Sequence, residues 1–426
     1  MRFIFSVIIL FFITFSLSFS QYINGRFVTS GYTWERYESN NKSSTQFRAS
    51  ETVQLDFGKD DLVLHTYFNG SNDFGSSITD DPRLRFYNLY LEKKNLFDIL
   101  DVKIGRIPIF AGMGVGAIDG ASIKLRPFEG NVFFTGYFGG LLPIDQALKI
   151  RKDIDKNYMY GFQLGTYYIP NTRVTLGFMN KHRKPESFYA LRTDTMFNTY
   201  EVMIENNSGN EKYGSLDVNY SSGLFSAYGK TDYDMNTWHL YRGEINLRYN
   251  INKSLGLSFE YLHREPRIAF NSIFSVFTQK NTDELGGGID YLLFDKYNLF
   301  VRFSNLKYED ESSSRLMIGA NSSFGSISYS RNFGYVGDLD ALSLDMLYPL
   351  FERKVVLQGG FSYVSYKYKE DDKKDATSII LGASYRPTRS ISCDLQGQMM
   401  FNDVYKSDFR VFFKFGYSFL SKLNIF

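Results

Sequence analysis

Residues 408–426 read DFRVFFKFGYSFLSKLNIF. Phe409, Val411, Phe413, Phe415, Tyr417 and Phe419 take every odd position, while Arg410, Lys414, Gly416 and Ser418 fall on even ones. A period of two sends successive side chains to opposite faces of a β-strand. One face of this last element is therefore greasy along its length, and the other is largely polar. Whether the rest of the chain repeats the pattern decides what such a strand is for.

It does. In QFRASETVQLDF (46–57), Phe47, Ala49, Val53, Leu55 and Phe57 alternate with Gln46, Arg48, Ser50, Thr52, Gln54 and Asp56, and only Glu51 breaks the rhythm. In HLYRGEINLRY (239–249), Tyr241, Ile245, Leu247 and Tyr249 alternate with Arg242, Glu244, Asn246 and Arg248. KVVLQGGFSYVSYKY (354–368) and TSIILGASYR (377–386) keep the same period, and helical spacing fits none of these windows well. About 22 such segments occur, with 18–24 compatible, each near the roughly 9–11 residues of a tilted membrane strand.

The connections alternate in length. Short ones lie at 58–60, 170–171, 251–253, 295–297, 350–353 and 387–389; longer or more polar ones at 38–45, 70–82, 141–156, 183–211, 264–282, 369–375 and 402–407. The parity holds if 183–211 is one long loop, within which SFYALR and YEVMIE form a hairpin of their own. Pro82, Pro127, Pro170, Pro185, Pro349 and Pro387 fall at segment ends or in turns, where a missing N–H breaks no ladder.

Composition agrees. The 426 residues include 41 Phe, 32 Tyr and 35 Gly, yet the mean hydropathy is only −0.26. No apolar run after the N-terminal stretch reaches the roughly 18 residues of a membrane helix. Alternation hides a membrane face from hydropathy averaging. With 48 Lys+Arg against 46 Asp+Glu, nothing points to a nucleic-acid partner. The single Cys393 cannot form an internal disulfide. At the start, Arg2, an apolar stretch and small residues at Ser18 and Ser20 read as a signal peptide, residues 1–20, cleaved before Gln21. The expectation is then an all-β chain: one antiparallel transmembrane β-barrel over 21–426, with short periplasmic turns and long external loops. In lipid every backbone N–H and C=O must be paired within the protein, which strands achieve only by closing.

The pattern of a leader, whole-length alternation and a terminal Phe426 resembles the Gram-negative outer-membrane porins. GRIPIFAGMGVGAIDG (105–120) is similar to the Gly-Arg, Gly-rich, Asp-Gly stretch that joins adjacent strands in several porin-like families. Its glycines permit a flexible loop with tight turns. The alternative is a loop folded into the channel with Arg106 and Asp119 near its base. The resemblance implies an outer-membrane location and barrel-assembly machinery reading the last strand, although Lys422 and Asn424 stand where the family's terminal alternation has apolar residues. Partners are then outer-membrane lipid and small solutes, and a homo-oligomer is compatible.

Motifs for chemistry are absent from the sequence. It holds no G-x-S-x-G, no H-E-x-x-H and no P-loop, for LGGGID (285–290) lacks the Lys-Ser/Thr. The four His, at 65, 182, 239 and 263, have no metal-ligand spacing and read as ordinary barrel residues. DELGGGID and KEDDKKD lack calcium-loop spacing. No enzyme and no cofactor is expected. What remains is the lumen, where alternation points inward Arg48, Asp56, Lys124, Arg126, Asp217, Lys230, Arg242, Glu244, Arg248, Arg410 and Lys414, with Arg106 and Asp119 at the Gly-rich stretch. Apart from Arg106 and Asp119, basic residues outnumber acidic ones by eight to three, which favours anionic or hydroxyl-rich solutes. The expected function is passive diffusion of small hydrophilic solutes. The alternative is a conduit or binding component for anionic polysaccharide export with periplasmic partners. A 22-stranded barrel is wide unless loops fill it, so either loops fold inward or the strands are fewer.

Overall fold

A strand with one apolar and one polar face needs apolar surroundings on one side and water on the other, and where those surroundings are lipid a sheet of such strands must close to leave no unpaired edge. The computed structural model shows that closure. It describes residues 22–38, 43–74, 82–149, 153–184, 187–193, 195–205, 209–266, 280–335, 337–367 and 372–422. The leader at 1–20, Pro185 and Phe426 lie outside the described residues.

The first strands are β1 (Tyr22–Glu38), β2 (Ser43–Lys59), β3 (Leu62–Asp73), β4 (Arg83–Leu96), β5 (Leu100–Ala111), β6 (Gly114–Leu125), β7 (Val132–Leu141), β8 (Asn157–Thr166) and β9 (Thr172–Arg183). Then come the short β10 (Phe188–Thr193) and β11 (Thr199–Ile204). The wall resumes with β12 (Glu211–Ser221), β13 (Phe225–Asp234), β14 (His239–Asn250), β15 (Leu255–Arg264), β16 (Thr282–Leu293) and β17 (Tyr297–Tyr308). It ends with β18 (Glu311–Ser322), β19 (Gly325–Gly334), β20 (Asp338–Leu350), β21 (Val355–Lys367), β22 (Lys374–Tyr385), β23 (Ile391–Asn402) and β24 (Tyr405–Lys422).

Twenty-two of these form one antiparallel sheet of sequential neighbours, and β1 pairs with β24 from Tyr22↔Lys422 to Tyr37↔Ser407 to close it. β9 pairs directly with β12, while β10 and β11 make a separate two-stranded sheet in the loop between them. The strand number and the embedded hairpin are as the alternation predicts. Among the described residues no helix is long and apolar enough to cross a membrane, and the only helical turn is the 3-10 segment Phe128–Gly130.

All the short connections expected from the sequence lie at one end of the barrel and all the long ones at the other. Several ladders run further than expected: β3 reaches Asp73 and β24 starts at Tyr405, so the polar ends of these strands are paired structure rather than loop. On the outer face, Phe409 (46% exposed), Phe413 and Leu381 (66%) stand open to the surroundings, as apolar residues do on strand after strand. Toward the loop end this belt is edged by Tyr–Asp pairs between neighbouring strands. Tyr261 donates to Asp283 at 2.9 Å and Tyr363 to Asp375 at 2.9 Å, and Tyr329 pairs with Asp340 in the same way. An apolar band with phenol rings at its margin fits a bilayer, because the ring sits in the headgroup region and its hydroxyl finds a polar partner.

The Gly-rich stretch is not a flexible loop. It is the β5–β6 hairpin, two 12-residue strands joined at Gly112–Met113. Pairing of β5 with β4 stops at Leu89↔Arg106, and pairing of β6 with β7 runs only from Ile118↔Leu141 onward. Residues 107–117 thus leave the wall with no ladder on either flank.

Candidate functional site: the inward hairpin and the wall beneath it

Where the hairpin goes is settled by what it touches. Ile107, Ile109, Ala111 and Ile118 pack with Tyr137 of β7, Met159 of β8, Met179 of β9 and Tyr213 of β12, all at most 5% exposed. Ladder register puts Met179, Tyr213 and Ser215 on the same sheet face as Lys181, Asp217, Lys230 and Arg242, opposite the exposed apolar belt. The hairpin therefore lies across the inner wall, inside the barrel. Its sequence explains this. Ile107, Ile109 and Ala111 alternate with Pro108 and Phe110, so this strand is apolar on both faces and finds no place in a one-layer wall between lipid and water. Pro108 also sits beyond the β4 ladder, where its missing N–H costs no bond there.

Glycines let it bend. Gly105 has φ +127°, and a Cβ there would strike the Leu89 carbonyl and Tyr90 Cα of β4. Its cross-strand partner Gly120 faces the Phe138 carbonyl and Gly139 Cα of β7 in the same way. At the tip, Gly112 would place a Cβ 3.3 Å from Ser215 Oγ and 3.4 Å from Gly177 Cα, so the turn lies flat on the wall.

The base is clamped. Arg106 donates to Asp119 through Nε (2.8 Å) and Nη2 (2.9 Å). Its Nη1 reaches the carbonyls of Phe86 (3.1 Å) and Gln146 (3.0 Å), and Nη2 that of Ala147 (3.1 Å). All five guanidinium donors are used. Phe86 also donates its N–H to the Gln146 carbonyl at 3.0 Å, so the segment after β7 takes the place β5 vacates beside β4. Arg106 and Asp119 do stand at the hairpin base. Yet Arg106 is 2% exposed, with no donor left for a solute; it works as a clamp rather than as a lining charge.

Four of the expected inner residues come together on β12, β13 and β14. Asp217, Lys230 and Glu244 are successive ladder partners, and Arg242 pairs with Asp232 one step further on. Lys230 Nζ lies 3.9 Å from Asp217 and 3.7 Å from Asp232 Oδ1; Arg242 is bonded to Glu244. Thr175 donates to Asp217 at 3.1 Å. The others are spread around the barrel, most beside an acid. Arg48 is bidentate to Asp73 (2.6 and 2.7 Å) and Arg410 to Asp408 (3.0 and 2.7 Å), while Arg248 lies 3.7 Å from Asp290. Asp56 meets His65 Nδ1 at 2.8 Å, and the other ring nitrogen meets Glu92 at 3.0 Å. Arg126 bonds Asp101 at 2.8 Å near the short-turn end. Lys124 and Lys414 stand opposite Asp101 and Asp394 in register.

The expected basic residues thus face acids on the same wall, among them Asp73, Asp101, Asp232, Asp290 and Asp408; three of these also meet a further arginine, Asp73 with Arg83, Asp290 with Arg302 and Asp408 with Arg36. Sequence reading missed these because most sit where a ladder outlasts or shifts the apparent alternation. It also missed Lys181, which pairs with Glu211 at 3.4 Å. Alternation puts Tyr241 on the lipid face, but the β13–β14 register shifts by one residue between Asp232 and Tyr233, and Tyr241 turns inward against Tyr213, ring centroids 5.6 Å apart. Among the described residues no group of His, Cys, Asp and Glu could hold a metal ion.

Hairpin and wall border an open cavity of about 250 Å³. The tip residues Met113 and Val115 form one side, with Met179, Tyr241, Lys230, Asp232 and Arg242 opposite. Asp232 is 2% exposed and Ser215 4%. Their Oδ1 and Oγ, with Nε of Arg242, are buried with no hydrogen-bond partner among the described residues.

No protein-family model matches the chain, and no curated protein matches it. Solved structures do. The cryo-EM structure of the E. coli P pilus tip assembly intermediate PapC-PapD-PapK-PapG matches with TM-score 0.53 at 9% identity, over 93% of this chain and 61% of that one. The crystal structure of Acinetobacter baumannii OccAB1 gives TM-score 0.40 at 10% identity, over 93% and 96% of the two chains. That of Pseudomonas aeruginosa OccK3 (OpdO) gives 0.44 at 8%, over 93% and 96%. At such identities the likeness is one of fold, a large closed barrel.

Proposed function

We propose that the protein is an outer-membrane channel through which small hydrophilic solutes diffuse passively, narrowed by the β5–β6 hairpin. The observation that carries this reading is the hairpin itself, laid across the inner wall of a closed 22-stranded barrel whose inner face is polar and whose outer face is an apolar belt. A barrel of this size would otherwise hold a wide lumen. Export by the leader at 1–20 and insertion through recognition of the last strand and Phe426 complete the account. It has no turnover chemistry, so the protein is not an enzyme in this reading.

The ion pairing of the inner wall supports solutes without a required charge, in place of the anion preference that the count of basic residues favours. It gives no support to passage of an anionic polymer. Single-channel recording of the refolded mature chain in a planar bilayer, under a salt gradient, tests the proposal. Discrete open steps with weak ion preference are expected. A folded, heat-modifiable barrel that never conducts would overturn it.

A further inference from the structure

We infer that the cavity between the hairpin tip and β12–β14 is a binding site for one ring of a neutral, hydroxyl-rich solute, such as a monosaccharide or cyclic polyol. This rests on the channel reading and names the solute class of the same lumen.

Three cations and four carboxylates face one another around the cavity: Lys181 with Glu211, Lys230 with Asp217 and Asp232, Arg242 with Glu244. An anionic solute would find no cation there that does not already face a carboxylate. What the wall retains is a buried carboxylate oxygen, Oδ1 of Asp232, and a buried N–H, Nε of Arg242, neither with a hydrogen-bond partner among the described residues. Lys230 approaches that oxygen only to 3.7 Å. An acceptor and a donor on directly paired residues, Asp232 and Arg242, suit a hydroxyl, which donates and accepts at once. A vicinal pair of hydroxyls would use both.

The remaining walls suit the C–H faces of a ring. Tyr241, turned inward by its bulge, and Met113 at the hairpin tip line the cavity with apolar surface. Methionine is unbranched and adapts to the shape beside it, so Met113 at the hairpin turn is able to swing as a solute enters. At about 250 Å³ the cavity lies just under the usual range for small-molecule sites, enough to seat one ring.

Isothermal calorimetry on the detergent-purified barrel, with glucose, myo-inositol, succinate and arginine as probes, measures binding whether or not the barrel conducts. Saturable binding of glucose or inositol is expected, at least tenfold tighter than succinate or arginine. Asp232→Asn should weaken it at least tenfold. Tyr241→Leu, at a partly exposed position, should weaken it while leaving heat-modifiability unchanged. In the bilayer, the same sugars should reduce the open current saturably. Tighter binding of succinate or arginine than of the polyols would overturn the inference, and so would no saturable binding of any probe. A conducting pore without sugar binding sinks the site and spares the channel. Sugar binding without conductance sinks the channel and spares the site.

Discussion

Gly105 and Gly120 face each other across the β5–β6 ladder, at the level where the hairpin leaves the wall on both flanks. Each is pressed by the backbone of the neighbouring wall strand, β4 for Gly105 and β7 for Gly120. The pair is the bend that sends the hairpin inward. A side chain at either position would meet main chain, which cannot move aside as a flexible side chain can. Gly105→Ala adds a left-handed φ that an L side chain resists. The expected cost is about 1–3 kcal/mol, read as a lower midpoint in urea unfolding from detergent. Gly229→Ala is the control: nothing lies within 4 Å of its Cβ position, and its effect should be near zero.

Arg106→Met should be the most damaging single change at the hairpin base. It leaves Asp119 uncompensated and the carbonyls of Phe86, Gln146 and Ala147 without their donor. The Asp119 side chain is 33% exposed, so the expected cost is set mainly by the carbonyls left without a donor, about 1–3 kcal/mol. The checks are unfolding midpoint and current noise. A looser hairpin predicts flickering openings in those molecules that still fold.

The two faces of β24 can be told apart directly. Phe413→Lys puts a charge on the lipid side, for an expected loss of about 2–4 kcal/mol near the midplane. Phe412→Lys, one residue away on the inner face, should cost little. Equal effects in an unfolding titration from lipid vesicles would show that the faces are misassigned.

The loop that receives Arg106 has its own fastening. Lys149 Nζ and the Ala147 N–H both donate to Asp145, at 2.8 and 3.1 Å. Chiefly through the Lys149 bond, they hold the Asp145 carboxyl below its ordinary value of 3.8. A depressed carboxyl contributes stability above its unfolded value, and loses it as pH falls through the folded one. Hydrogen exchange at 143–149 should therefore be flat from pH 7 down to about 4, after correction for intrinsic rates, and rise below that. Asp145→Asn should give faster exchange already at neutral pH.

Much of the wall was legible in the sequence, because a one-layer sheet between lipid and water writes its two faces into every strand. Phe409 to Phe419 carries that message, and the short and long connections carry the two ends. The inner site was less legible. Ion pairs depend on register, and register depends on bulges that the alternation does not reveal, so the inward turn of Tyr241 and the partners of Lys230 and Arg410 leave no mark in the sequence. The hairpin did leave a signal. Ile107 to Ala111 is apolar on both faces, which no wall strand between lipid and water tolerates, but its Gly-rich setting reads equally as a loop.

The central claim is that the hairpin narrows an otherwise wide pore. Its most direct test is the single-channel conductance of a barrel in which residues 108–117 are replaced by a two-glycine turn joining Ile107 to Ile118, which are cross-strand partners. The account predicts unchanged strand content by circular dichroism and a conductance several-fold above that of the intact protein. Equal conductance in the two, with both folded, would contradict it.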